Sequence, residues 1–240
     1  MILETRLIFL RVRSGFGFKT GFLSLKKKGV TMQLRTYVMV DSMQPQYAAF
    51  TGKRTLGMIP VEGDAQIFIE VSPAAEAYRV MDIALKTTDV KPGYLSMGRE
   101  YGFLEIHSSH QEAVQYTGQK ALESMGLQET DRLKPTVLSA NMTSGIDPYQ
   151  AQLINARNAG GLVLAYETFC VIEVVPAAYI VLAANEAEKA ARITLNHYTS
   201  SGASGRLMIS GPDSAVSQSR DAAISAIENL QGREPRRSSR

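Results

Sequence analysis

The sequence has one cysteine, Cys170, no tryptophan and three histidines in 240 residues. A single thiol excludes an intrachain disulfide framework and a thiolate metal site built within one chain. So few histidines and no tryptophan leave little for histidine-rich metal chemistry or for stacking platforms that hold nucleobases. No uninterrupted apolar run reaches the ~18 residues of a spanning helix, and mean hydropathy is only -0.09, so no membrane partner is expected. Phosphate-cradling glycine loops, dinucleotide fingerprints and nucleophile elbows are all missing. Charged residues are 20% of the chain and hydrophobic ones 45%, which is too little charge for disorder and enough apolar material for a packed core. At this length one large domain, or two of about 100–150 residues, is expected.

The net charge of +3 hides a polar distribution. Residues 1–31 carry seven Lys and Arg against Glu4, a net +6, and residues 233–240 carry four Arg against Glu234, a net +3. The remaining body is therefore -6. A phosphate footprint needs clustered basic side chains on the folded surface, so basic ends on an acidic body argue against nucleic acid. The first segment also holds Phe9, Phe16, Phe18 and Phe22, half of all phenylalanines. It has a short apolar stretch from Leu7 to Leu10 but lacks the longer uncharged region and the small-residue cleavage site of a secretory signal. It reads as a leader preceding Met32 as the natural start, or as an amphipathic docking tail. The stretch from Arg233 reads as a solvated tail.

An internal repeat organises the rest. Ile69-Glu70-Val71-Ser72-Pro73-Ala74-Ala75 recurs as Ile172-Glu173-Val174-Val175-Pro176-Ala177-Ala178, an offset of 103. The same offset matches Pro45 with Pro148, Ala48 with Ala151, Gly57 with Gly160, Lys86 with Lys189 and Gly102 with Gly205. The chain is a tandem duplication, with domains expected at 33–128 and 136–232 and a charged linker from Glu129 to Pro135. In the first unit, strands are expected at Leu34–Val40, Gln66–Val71, Val90–Leu95 and Phe103–His107. A short helix or turn follows Pro45. Ser72 is expected to cap a helix starting at Pro73 and burying Ala77, Val80, Met81, Ala84 and Leu85, and Gln111–Met125 forms another helix ending at Gly126. The second unit repeats the pattern, with helices at Pro176–Ala191 and Asp213–Leu230. Strands with helices over one sheet face make an α+β fold.

The chemistry-bearing residues are sparse. His107 and His110 are three apart at a strand end, and His197 lies in a strand; surface or satisfied histidines explain them better than a metal site. Cys170, within an apolar strand, reads as a small buried hydrophobe. The chain is expected not to be an enzyme and to hold no metal or cofactor. Lys86 and Lys189 occupy equivalent helix ends, either as cations on the helix dipole or as subunit-edge lysines. The alanine-rich stretch Ala183–Ala191 lets another surface approach closely. Two glycine-bounded loops precede the last strand of each unit: Ser96-Met97-Gly98-Arg99-Glu100-Tyr101-Gly102 and Thr199-Ser200-Ser201-Gly202-Ala203-Ser204-Gly205. Their glycines suggest special backbone conformations. Alone they read as plain hairpins, with Arg99 and Glu100 an exposed pair worth ~0–1 kcal/mol.

Several stretches carry a resemblance that covers Leu34 to Glu234. They are Leu34–Val38, Ile69–Pro73, Asp82–Lys86, Tyr149–Asn155, Ala183–Ala191 and Gly205–Leu207. With them the chain resembles bacterial microcompartment shell proteins with two fused shell domains, and most of all the carboxysome type with a gated central pore. The order of elements is similar to the circularly permuted, ferredoxin-like form of that domain. The resemblance implies a homotrimer of six domains that tiles a shell with other shell proteins in the cytoplasm, and that stacks face to face with a second trimer. It implies a pore lined by Gly98, Arg99, Glu100, Tyr101 and Gly102, with Ser200, Ser201, Gly202, Ala203, Ser204 and Gly205 as the second axial loop. Small anionic metabolites, the phosphorylated sugars of carbon dioxide fixation, would cross it. The family's gate is an adjacent Glu-Arg pair; here Gly98 stands at the glutamate position and Glu100 follows Arg99. A shell tile of a catabolic microcompartment and a soluble trimeric ligand-binding or enzymatic protein are the other readings.

Overall fold

The computed structural model describes residues 32–156 and 160–234. The leader expected at 1–31 and the tail beyond residue 234 lie outside that range. The first half runs β1 (Gln33–Val40), α1 (Pro45–Arg54), β2 (Ala65–Ser72), α2 (Glu76–Thr87), β3 (Lys91–Met97), β4 (Gly102–Ser108) and α3 (Gln111–Met125). The second half runs β5 (Thr136–Thr143), α4 (Pro148–Asn155), β6 (Thr168–Val175), α5 (Ile180–Ala190), β7 (Thr194–Thr199), β8 (Gly205–Gly211) and α6 (Asp213–Glu228). Each half makes one antiparallel four-stranded sheet, ordered β1-β2-β4-β3 and β5-β6-β8-β7. The expected α+β architecture is therefore present twice.

Strand alternation sets the two faces of the first sheet. Ile67, Ile69 and Val71 of β2, with Leu104 and Ile106 of β4, pack on Ala77, Val80, Met81 and Ala84 of α2 and on Val114, Ala121 and Leu122 of α3. The other face carries Gln66, Phe68, Glu70, Phe103, Glu105 and His107, all buried. Phe68 and Phe103 belong to a second apolar core, where Val38, Val40, Met43, Tyr47 and Phe50 meet Ile172, Val174, Tyr179, Ile180, Ala183, Ala184 and Ala187 of the other half. The two halves thus share a core.

That sharing changes the expected linker. A 3-10 turn at Glu129–Asp131 is followed by buried Arg132 and Leu133. The Arg132 guanidinium donates to the carbonyls of Tyr37 (2.8 Å) and Gln231 (2.7 Å), and the Tyr179 hydroxyl donates to the Leu133 carbonyl (2.7 Å). Arg233, expected in a solvated tail, forms a β-bridge with Leu133 and donates to the Asp131 carbonyl (2.8 Å). The charged run is a seam because Arg132 within it and Arg233 beside it both donate to buried or half-buried backbone carbonyls.

Three other expectations need correction. α2 begins at Glu76, not Pro73: residues 73–75 form turns in which Glu76 N–H donates to the Pro73 carbonyl (3.1 Å), and Ser72 does not cap the helix. Leu85 is not part of the buried stripe and is exposed. The helix expected at Pro176–Ala191 is a 3-10 turn at Ala177–Tyr179 followed by α5.

Candidate functional site

The first glycine-bounded loop is shorter than its sequence suggests. Strand pairing runs to Met97 opposite Gly102, so only Gly98–Tyr101 remains, closed by the Gly98 N–H donating to the Tyr101 carbonyl (2.9 Å). The second loop is Ser200–Ser204, between β7 and β8. Gly202 has φ +106°, a conformation that disfavours side chains. Gly102 and Gly205 serve a different end. A Cβ on Gly102 would strike the Ala74 carbonyl, and one on Gly205 the Ala177 carbonyl. Both glycines let the last strand of each half pass against the turn before α2 or α5, so the repeat preserves a close approach rather than an unusual torsion.

Gly98, Arg99 and Glu100 are exposed. Arg99 makes no ion pair with any described residue of its own chain, so the expected Arg99–Glu100 contact is not formed within one chain. The neighbouring Glu100 carboxylate, as a hydrogen-bond partner, and then burial raise the Tyr101 phenol above its ordinary range. Behind Tyr101 stands Arg35 of β1, its guanidinium 3.5 Å from the ring centroid. Arg35 Nε lies 3.3 Å from the Glu70 carboxylate, which is buried and accepts from Thr36 Oγ1 (3.0 Å). Burial pushes the Glu70 carboxyl up, and Arg35 and Thr36 oppose that shift. Arg35 and Glu70 were not singled out from sequence. The available signal was an acidic residue inside an apolar strand, repeated as Glu173.

The two hairpins approach one cavity of about 300 Å³, where Ser200 and Ser201 share walls with Tyr94, Phe103, Arg54 and Tyr198. Beneath it lies a buried polar chain. Tyr47 Oη donates to Gln66 Oε1 (2.6 Å), Gln66 Nε2 donates to Glu105 Oε1 (3.0 Å), and His107 Nδ1 lies 3.0 Å from the same oxygen. His107 is thus buried in β4, whereas His110 is the residue before α3; the two do not converge. His197 is half-buried, its imidazole pushed down chiefly by burial and then by Arg54. Among the described residues no three His, Cys, Asp or Glu side chains are grouped to hold a metal ion. Cys170 is buried in β6, and its burial pushes the thiol up to about 11.

The expected close approach at the alanine-rich helix occurs inside the chain. α5 packs on α6 and on α1 of the other half. The Glu188 carboxylate accepts from the Gln46 and Tyr47 N–H groups (2.8 Å each), and Asn185 Oδ1 accepts from the Gln44 N–H (2.9 Å). The N-terminus of α1, which has no side-chain cap of its own, is capped by the second half. In contrast α4 carries its own cap, Asp147, which accepts from Tyr149 and Gln150. Lys189 pairs across the same contact with Asp41 (3.8 Å) and, within α5, with Glu186 (3.7 Å). Its counterpart Lys86 is exposed and pairs with Asp82 (2.7 Å).

Residues 34–131 match a family model described as the CsoS1D N-terminal domain. The chain is 45% identical to the carboxysome shell protein CcmP of Synechococcus elongatus over 203 residues, 85% of this chain and 95% of that one. It is 38% identical to the carboxysome shell protein CsoS1D of Prochlorococcus marinus, covering 83% of this chain and 78% of the relative. Among solved structures, the fused permuted hexameric shell protein MSM0275 of the RMM microcompartment superposes with a TM-score of 0.81 at 38% identity, covering 84% of this chain and all of that one. The double ringed trimeric shell protein MSM0271 of the same microcompartment gives 0.81 at 34% identity, covering 85% and 100%.

Proposed function

The chain belongs to the tandem-domain carboxysome shell proteins, and we propose from that premise that it is a structural, non-enzymatic tile of the carboxysome shell in the cytoplasm, working as a homotrimer with other shell proteins. The single observation that carries the assembly is a mismatch between the halves. Within the chain, α5 covers α1. The same contact between chains would set α2 of one copy against α4 of the next. Buried Phe50 of α1 corresponds to Leu153, and buried Val181 of α5 corresponds to Tyr78. Yet Leu153 is 74% exposed, Tyr78 53%, and their neighbours Tyr149 and Leu85 are 78% and 41% exposed. Glu188, the cap of α1, corresponds to Leu85; α4 is capped by its own Asp147, so an apolar residue suits that place. Head-to-tail repetition of one contact closes a ring when the rotation permits, and three chains then supply six domains.

In that ring the loops Gly98–Gly102 and Ser200–Gly205 edge a central opening. Three copies of Arg99 there would favour anions on an otherwise acidic body, and guanidinium suits phosphate oxygens. Small anionic metabolites such as phosphorylated sugars are the cargo this supports, with Glu100 and Tyr101 beside the arginine as the gate. Lys86 would sit at the contact between chains. A second, stacked trimer is supported by the exposed apolar residues Leu56, Ile59 and Val61 and by Leu162 and Leu164, the counterparts of Ile59 and Val61. A tile of another microcompartment is the second reading, favoured by the two RMM neighbours; 45% identity to the carboxysome relative outweighs it. Light scattering of the purified protein tests the assembly. The expected mass is three chains or six, and Leu153→Asp is expected to yield folded monomers. A wild-type monomer at every concentration would refute it.

A further inference from the structure

We propose that Arg35 is the positioning residue that holds the first axial loop in place, a latch between the sheet interior and the gate; this rests on the reading of Gly98–Gly102 as a pore loop. β1 has a register irregularity between Leu34 and Thr36, so Arg35 is the bulged residue. A bulge re-aims the side chain it carries, and here it sends the guanidinium across the sheet to Tyr101. The inner side of Arg35 is tied to Glu70, a carboxylate only 1% exposed. On its other side the guanidinium carbon stands 3.5 Å from the centroid of the Tyr101 ring. A buried charge without a partner is costly, so Glu70 holds Arg35 where it is, and Arg35 in turn offers Tyr101 a fixed cation. Tyr101 is adjacent to Glu100, the residue after Arg99.

The repeat supplies an internal control. β5 has the same irregularity between Val137 and Ser139, yet the bulged residue is Leu138, exposed to solvent. The position of Tyr101 is taken by Ser204, and Glu173 pairs with Arg206 of its neighbouring strand (2.8 Å). Backbone irregularity and carboxylate are present in both halves, whereas the guanidinium and the ring that link them to the loop occur only where the loop carries Arg99 and Glu100. A merely structural ion pair would not require the ring.

Hydrogen exchange of the full-length protein, read at the amides of residues 98–102 and, as a control, at residues 67–71 of β2, tests the latch. Tyr101→Leu, which leaves Arg35 and Glu70 untouched, is expected to speed exchange in the loop roughly tenfold, in line with a cation–π contact worth about 1–2 kcal/mol. The paired change Arg35→Met with Glu70→Gln, which leaves no buried charge alone, is expected to do the same. Tyr101→Phe keeps the ring and is expected to stay within about threefold of the wild type. Exchange in the loop unchanged in both disruptive variants, or accelerated equally in β2, overturns the latch. Passage of a phosphorylated sugar through assembled shells is a separate readout: faster loop exchange with unaltered passage keeps the latch and refutes the gate.

Discussion

At the scale of single residues, burial decides most of the chemistry. Cys170 sits among apolar side chains, and burial pushes its thiol from the ordinary 9.0 up to about 11. Tyr37 and Tyr198 move from 10.0 to about 12, in both cases mainly through burial. Each folded-state value is raised, so the folded protein keeps protons that an unfolded chain releases. The resulting stability is fully present below about pH 9 and is lost between pH 9 and 12, by up to about 1.4 kcal/mol per group for each pH unit. The urea midpoint is therefore expected to be lower at pH 10.5 than at pH 8, and the native thiol is expected to resist alkylation at pH 8 until the chain is unfolded. An unchanged midpoint, or rapid alkylation of the native protein, would contradict this. The inertness of Cys170 was legible from its apolar neighbours in sequence. The roles of Arg35 and Glu70 were not, because their partners lie 66 and 34 residues away and meet only through sheet register.

At the scale of elements, the offset of 103 carried most of the fold. It located β2 and β6, α2 and α5, and both hairpins, because strand and helix periods repeat with the residues that set them. It could not locate where one half meets the other. The shared core and the Glu188 cap depend on differences between the repeats: Glu188 where the first half has Leu85, Gln44 where the second has Asp147. Helix starts were also misplaced, since a proline at a favourable position did not reveal that α2 begins three residues later. Glu188→Ala is expected to cost about 1–2 kcal/mol, the value of a charged cap on two N–H groups, and to lower Tm by roughly 2–8 °C for a chain of this size. Leu85→Ala, at the counterpart position, is expected to change the Tm of an isolated chain by no more than about 2 °C, because the side chain lies outside the core and is 41% exposed there. Differential scanning calorimetry of the two variants, each compared with wild type under conditions of equal assembly, checks both values.

At the scale of the whole molecule, the chain is a fused pair whose inner contact is satisfied and whose outer ends are not. The satisfied contact buries Phe50 and Val181, and the unsatisfied ends expose Leu153 and Tyr78. A heterologous surface of this kind needs further copies to close it. In the proposed ring the loops with Arg99 and Gly202 would face inward together, one set polar and bulky, the other built from small residues. The most direct measurement is a three-dimensional reconstruction of the purified assembly viewed down its symmetry axis. The account predicts three chains around that axis with Arg99 at the rim of the central opening and α2 of each chain against α4 of the next. Arg99 on the outer perimeter, or chains joined through other surfaces, would contradict it.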